Sequence, residues 1–445
     1  MRLAGSRGKG DRGVAIALPA CCACRRWVIS KQLNFGSETG AYLITEGEKK
    51  EIRVAWLIAG DEDGGVAQAV RGLAGAVAQM GIRPVIVALH EGPFARSLAA
   101  AGFDLRVLDV DSFPALRGGL LMKLRSQLRI RSVTAVIRPT LGKLLSGLGV
   151  DAVTVLWPNL MPLAAMAARD VGIASFWEMP NVMGKYPFGV NRRLTQHTLQ
   201  RWNVTALANS GYTAATLGDH PVKPITLYLG ADDARFRPDR RDLLPREHVG
   251  LPPDATVLGM VGWVTAEKGQ SLILRAMAQL PEQYSRTHLL LCGPAEQGFP
   301  GELCAIAREL GIADRLHLVG SVPDPERYYG VIDVAINAYL GAESFGLSVV
   351  EAMMMGKPVL VHALGGPAET VVDGQTGWPV HEPTVAGFRA GLLRALGDRE
   401  KWAEMGAAGR QRALEHFSLS RQAKQYVEIV RRRLEAGTQE LEVRS

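Results

Sequence analysis

From residue 52 onward the chain repeats one unit, a short run of consecutive apolar residues closed by glycine or a small polar residue and followed by an amphipathic stretch of helical period. The runs IRVAWLIA (52–59), PVIVAL (84–89), DAVTVLW (151–157), IASFWE (173–178) and TALANS (205–210) lie in the first half. TVLGMVGW (256–263), HLLLCG (288–293), LHLVGSV (316–322) and VLV (359–361) lie in the second. Strands apolar at consecutive positions are buried on both faces, as parallel strands covered by helices are. Their alternation with helices predicts α/β layers with parallel sheets. At 445 residues the chain can form two such domains, each with a full core.

The stretch 338–380, AYLGAESFGLSVVEAMMMGKPVLVHALGGPAETVVDGQTGWPV, carries the densest functional signal. Glu343 and Glu351 stand eight positions apart around a small and apolar run. The pattern predicts a loop at Glu343 and a helix starting near Gly346 or Leu347 and running to about residue 355. The first backbone amides, from Phe345 to Ser348, then lack partners and face forward with the positive end of the helix dipole, which suits a phosphate. Glu343 in the loop, and Glu351 about one turn into the helix, can accept hydrogen bonds from sugar hydroxyls. Gly356 and Pro358 stop the helix, and Gly365-Gly366 closes the next strand where backbone can approach a ligand.

These residues resemble a family. The E-x7-E pair, GKPV, GGPAETV and DGQTGWPV are similar to the donor-binding domain of retaining GT-B glycosyltransferases of family 4, over about residues 52–430. The resemblance implies α/β, GT-B architecture, two Rossmann-like domains facing each other across a cleft. It implies an acceptor-side domain at 51–230, a nucleotide-sugar domain at 231–417, and a helix at 418–445 that crosses back, with the tail after 436 frayed. The activity implied is transfer of a hexosyl unit from a UDP- or GDP-sugar to a hydroxyl of a glycan or lipid-linked acceptor, with retention.

By the same resemblance Gly262 and Lys268 approach the diphosphate, the amides of Phe345, Gly346, Leu347 and Ser348 support it, and Glu351 holds the ribose. Glu343 holds the hexose, and Ser321 and Val322 meet the base. Gly64 and Gly65 form the acceptor-facing loop. Glu178 stands where relatives carry a histidine, and is expected to face the cleft. Trp263 replaces the usual arginine before Lys268, removing a bidentate fork. Helix and lysine carry the charge, so the co-substrate is the nucleotide-sugar and no metal or other cofactor is expected. A protein that binds nucleotide-sugars but has lost catalysis, or serves as a scaffold, is the other reading.

Composition narrows the classes. A net charge of +7 with 6% aromatic residues and no nucleic-acid motif argues against nucleic acid. No apolar run reaches roughly 18 residues, the length of a membrane span. The missing GxGxxG argues against a nicotinamide enzyme. Cys21, Cys22 and Cys24 crowd into residues 1–50, leaving Cys292 and Cys304, so a reducing, cytoplasmic setting is expected. Residues 1–50 read as a disordered leader. The acidic run Asp61-Glu62-Asp63 matches a metal motif but reads better as helix capping. Between residues 112 and 150 no acid occurs, while Arg117, Lys123, Arg125, Arg129, Arg131, Arg138 and Lys143 alternate with apolar residues. That segment is either a helix with a solvated basic face or a surface, 117–143, for anionic lipid or a lipid-pyrophosphate acceptor.

Overall fold

A computed structural model describes residues 51–442, apart from 63, 111–112, 115–119 and 185–189. The leader, its three cysteines, Asp63 and Arg117 lie outside the described residues, as does the end of the tail. Strands β1 (Ile52–Ile58), β2 (Ile82–Ala88), β3 (Asp104–Val107), β4 (Ala152–Val155), β5 (Ala174–Met179), β6 (Thr205–Ala208) and β7 (Ile225–Thr226) form one sheet, ordered 3-2-1-4-5-6-7. Strands β8 (Thr256–Val261), β9 (Thr287–Cys292), β10 (Leu316–Gly320), β11 (Val334–Asn337), β12 (Val359–His362) and β13 (Gly377–Val380) form another, ordered 10-9-8-11-12-13. Every pairing is parallel. The result is two Rossmann-like lobes, and the described residues make one unit.

Helices α1 (Gly64–Ala78), α2 (Pro93–Ala100), α3 (Leu120–Leu148), α4 (Met161–Val171), α5 (Val190–Arg201) and α6 (Gly211–Thr216) belong to the first lobe. Helices α7 (Gln270–Met277), α8 (Phe299–Glu309), α9 (Leu347–Met354), α10 (Pro367–Thr370), α11 (Val385–Gly397) and α12 (Trp402–His416) belong to the second. In α3 Ile130, Thr134, Ile137, Leu141 and Leu145 are buried at helical spacing while Arg129, Arg131 and Lys143 are exposed. Arg138 is paired with Asp170 of α4, and Leu128 and Val136 stay 64% and 77% exposed. No helix of the described residues is long and apolar enough to cross a membrane.

Helix α13 (Leu419–Glu442) returns to the first lobe. Ala423, Tyr426, Val427 and Val430 join the core formed by Val54, Trp56 and Val70. The Tyr426 ring stacks on Trp56 at 5.7 Å and meets Phe176 at 6.3 Å. The helix runs on to Glu442, beyond the expected end at 436, because Gln439, Glu440, Leu441 and Glu442 are good helix formers that outweigh Gly437.

The chain crosses between lobes twice, and the crossings are bonded to each other. Ala231 N–H donates to Phe417 at 3.0 Å, and Leu419 N–H to Ala231 at 2.9 Å. A side chain at Gly230 would come within 2.4 Å of the Leu419 backbone, so only glycine permits this approach.

Because Tyr426 is fully buried against Trp56, Tyr426→Ala is expected to lower first-lobe stability by about 3–5 kcal/mol in urea unfolding. Arg432→Ala, on the exposed face of the same helix, should stay within about 0.5 kcal/mol.

Candidate active site in the cleft

Strands of both sheets end at one cavity of about 290 Å³. Leu156 follows β4, Pro180 and Asn181 follow β5, and Asn209 follows β6 on the first-lobe side. Gly262 follows β8 and Ala338 follows β11 on the other. Such convergence places ligands outside the carboxyl ends of parallel strands.

The second-lobe wall is built around the loop from Glu343 to Gly346. Glu343 N–H donates to Leu364 at 3.1 Å, and Gly366 N–H donates to Glu343 at 2.8 Å. A Cβ on Gly365 would lie 2.0 Å from the Glu343 carbonyl oxygen, and one on Gly366 2.3 Å from Phe345. The Gly365-Gly366 pair expected to meet a ligand therefore meets this loop instead, and neither glycine lines the cavity. Its small size lets two backbones touch, and the contact fixes where Glu343 points. Gly346 precedes α9 with φ of +84° and gives no side-chain cap to the first amides, and Phe345, Gly346, Leu347 and Ser348 line the cavity.

Lys268 reaches the same point from the loop after β8. Its ammonium is 2.8 Å from the Glu343 carboxylate and 4.6 Å from the centre of the Tyr339 ring. Gly262 faces open space within the lining, leaving room for a ligand to touch backbone. Trp263 does not point away. It is 40% exposed on the cavity wall, and its indole nitrogen is 3.0 Å from where a Cβ on Gly64 would stand. Trp263 thus closes one rim of the cleft against the start of α1: Gly64 and Gly65, expected in a loop, are the first residues of that helix, and Gly65 lines the cavity while Gly64 does not.

Glu178, the penultimate residue of β5, lines the cavity and accepts a hydrogen bond from the Thr154 hydroxyl at 3.0 Å. Burial pushes its pKa up to about 7, against the stabilising Thr154 hydroxyl and the nearby Trp56 indole. The Trp56 N–H itself has no hydrogen-bond partner among the described residues. Glu351 is also pushed up to about 7 by burial, with Arg235 opposing the shift and Glu326 adding to it. It does not line the cavity, nor do Ser321 and Val322. Arg235 links these parts, bonding Glu326 at 2.8 Å and the carbonyl of Pro323, one residue past Val322, at 3.3 Å.

The structure departs from sequence reasoning in two further ways. Glu62 neither caps α1 nor faces other carboxylates as a metal ligand would: it turns back to accept from Ala59 N–H at 2.6 Å, Gly60 N–H at 2.9 Å and the Trp157 indole at 3.0 Å. A buried carboxylate needs such donors, and the turn after β1 supplies them. Asn209, Gln270 and Asn337 line the cavity without having been singled out. A polar residue closing an apolar strand run, as in TALAN and VAIN, is the signal that marks Asn209 and Asn337.

The folded-state pKa of Glu178 lies above its ordinary value of 4.5, so from pH 4.5 to about 7 the native state binds more protons than the unfolded state. Stability from this group is therefore lost as pH rises through that window. Glu178→Gln is expected to flatten this part of the profile, gaining most over the parent at pH 8 and least at pH 5 in denaturant unfolding.

Residues 245–412 match the family described as Glycosyl transferases group 1. The chain is 38% identical over 206 residues to D-inositol 3-phosphate glycosyltransferase 2 of Catenulispora acidiphila, covering 42% of this chain and 48% of that one. It is 36% identical over 187 residues to D-inositol 3-phosphate glycosyltransferase of Nocardia farcinica, covering 40% of each. The chain thus spans about half or less of the length of these curated relatives. Among solved structures, Anabaena Alr3699/HepE in complex with UDP superposes with a TM-score of 0.71 at 19% identity, over 85% of this chain and 99% of that one. A glycosyltransferase from Rickettsia africae gives a TM-score of 0.71 at 17% identity, over 86% and 98%. The second lobe therefore carries a glycosyl transferases group 1 domain, and the chain has the GT-B fold of glycosyltransferases.

Proposed function

We propose that this chain is a glycosyltransferase that moves a hexosyl unit from a UDP- or GDP-sugar to a hydroxyl acceptor, with retention at the anomeric carbon. The observation that carries the reading is the meeting of Lys268, Glu343 and the uncapped start of α9 on the second-lobe wall of the cavity, which the open face of Gly262 also lines. A departing diphosphate gathers negative charge. An ammonium and a row of backbone amides fixed before the reaction stabilise that charge without rearranging. Glu343, held by its backbone, presents a carboxylate to sugar hydroxyls, and no metal is required in this scheme. Arg235 bonds the carbonyl of Pro323, next to Val322, and acts electrostatically on Glu351, which supports a ribose and base site on that side of the second lobe.

The curated relatives' name supports a phosphorylated inositol as one acceptor class to assay, and exposed Leu128 and Val136 among the cations of α3 support a lipid-linked one presented at an anionic surface. The second reading, a nucleotide-sugar-binding protein without turnover, draws support from Trp263 in the place of an arginine.

A thermal-shift series with UDP, GDP, ADP and their sugar conjugates tests the donor site, since a ligand of the native state raises stability with concentration. One nucleotide class is expected to stabilise the chain, and Lys268→Ala to weaken its binding about 10- to 100-fold, the worth of a charge-assisted hydrogen bond. No shift with any nucleotide removes the assignment. Binding without hydrolysis or transfer selects the second reading, and the anomeric coupling constant of the product decides retention.

A further inference from the structure

Away from the cavity the lobes meet at a carboxylate that the proposed chemistry does not use. Glu369, in α10 of the second lobe, accepts three hydrogen bonds from the first. The backbone N–H of Gly211 donates at 2.9 Å, that of Tyr212 at 2.6 Å and the Tyr228 hydroxyl at 2.9 Å. Next to them the Ser210 and Thr213 hydroxyls donate to the carbonyl of Ser344 at 2.6 and 3.2 Å. Ser344 follows Glu343 in the loop that shapes the cavity wall. Five bonds thus tie residues 210–213 and 228 to two places on the other lobe.

Those two places are themselves joined. Glu369 N–H donates to Gly366 at 2.9 Å, and Gly366 is the residue packed against the Glu343–Phe345 backbone. Arg412 of α12 holds the other side, donating to the carbonyls of Thr370 at 2.8 Å and Glu369 at 2.9 Å. A pull on the Glu369 carboxylate passes along its own side chain to the backbone of α10 and from there, through the Glu369–Gly366 bond, to the Glu343 loop. Bonds from backbone N–H to a carboxylate are among the stronger ones available. On the free side a cavity of about 260 Å³ opens, lined by Glu369, Tyr228, Arg412 and Arg421. The Glu369 carboxylate thus borders an open space on one side, while the Tyr228 ring packs against Phe345 and Phe417 on the other.

We propose that Glu369 is a positioning residue: it latches residues 210–213 of the first lobe onto the second and so couples closure of the cleft to the conformation of the Glu343 loop. Its consequence for catalysis rests on the glycosyltransferase reading, while the latch itself does not.

Hydrogen exchange on the full chain tests it. Glu369→Gln keeps the size of the side chain but presents an NH2 to one of the three donors. Exchange is expected to rise about tenfold, the effect of one weakened bond to a charged acceptor, in two segments together, 210–217 and 343–349. The unfolding midpoint and the exchange of β8 and β9 should stay in place. Tyr228→Phe, which removes one bond and keeps the ring, should show a smaller rise in the same two segments, and decides the matter if Glu369→Gln does not fold. Parent-like exchange at 343–349 in a folded variant overturns the latch, as does a rise spread evenly over the second lobe. With a turning-over parent, the latch further predicts a lower kcat for Glu369→Gln at saturating donor. A parent without turnover removes the function reading and leaves the exchange comparison standing.

Discussion

Parallel strands all deliver their carboxyl ends to the same edge of a sheet, and that constraint governs where this molecule can hold anything. In each lobe the loops leaving the strands carry the polar groups, because within the strands both faces are taken up by helices. Turning the two edges toward each other makes one cavity in which loops from both lobes contribute, Asn181 and Asn209 from one side and Gly262 and Glu343 from the other. The bonded crossings at Ala231 and Leu419 and the return of α13 onto Trp56 keep those edges opposed. The last helix of the chain is therefore a core element of its first lobe.

Charge in the cleft follows from what each carboxylate finds nearby. Glu343 has an ammonium at 2.8 Å. Among the described residues Glu178 has the Thr154 hydroxyl and the Trp56 indole nearby, and burial outweighs both, so its proton is held to about neutrality. Glu351 reaches a similar state by another route: Arg235 is close, but Glu326 holds that guanidinium at 2.8 Å and adds its own repulsion. Burial thus raises two glutamates, Glu178 on the cavity wall and Glu351 behind it, to about 7, which puts a group able to exchange a proton near neutrality beside the Lys268–Glu343 ion pair.

The rims of the cleft are closed by different means. At one, Trp263 lies against Gly64, where a Cβ would stand 3.0 Å from the indole nitrogen. At the other, hydrogen bonds from residues 210–213 meet Glu369 and Ser344. An apolar ring against a glycine permits sliding, whereas a set of directed bonds to one carboxylate holds a single register.

The two-lobed parallel architecture was legible in the sequence because unbroken apolar runs separated by helical periods have few other solutions. The start of α9 was legible because Gly346 precedes a helix-forming run, and Ser210 was readable as a cap and does accept from Thr213 N–H at 3.0 Å. Short strands escaped it: β3, reading DLRV, has too few apolar residues to stand out from a loop. What the sequence alone determined is which local groups exist, the uncapped helix, the lysine after β8 and the glycine pair. Tertiary structure alone decided what those groups face. Glycine permits close approach without naming the visitor, and here Gly365 and Gly366 receive the chain's own backbone. Glu369 was one acid in a short motif until folding set it against amides 158 and 157 positions earlier, a pairing no local pattern encodes because hydrogen bonds and burial depend on distance in space.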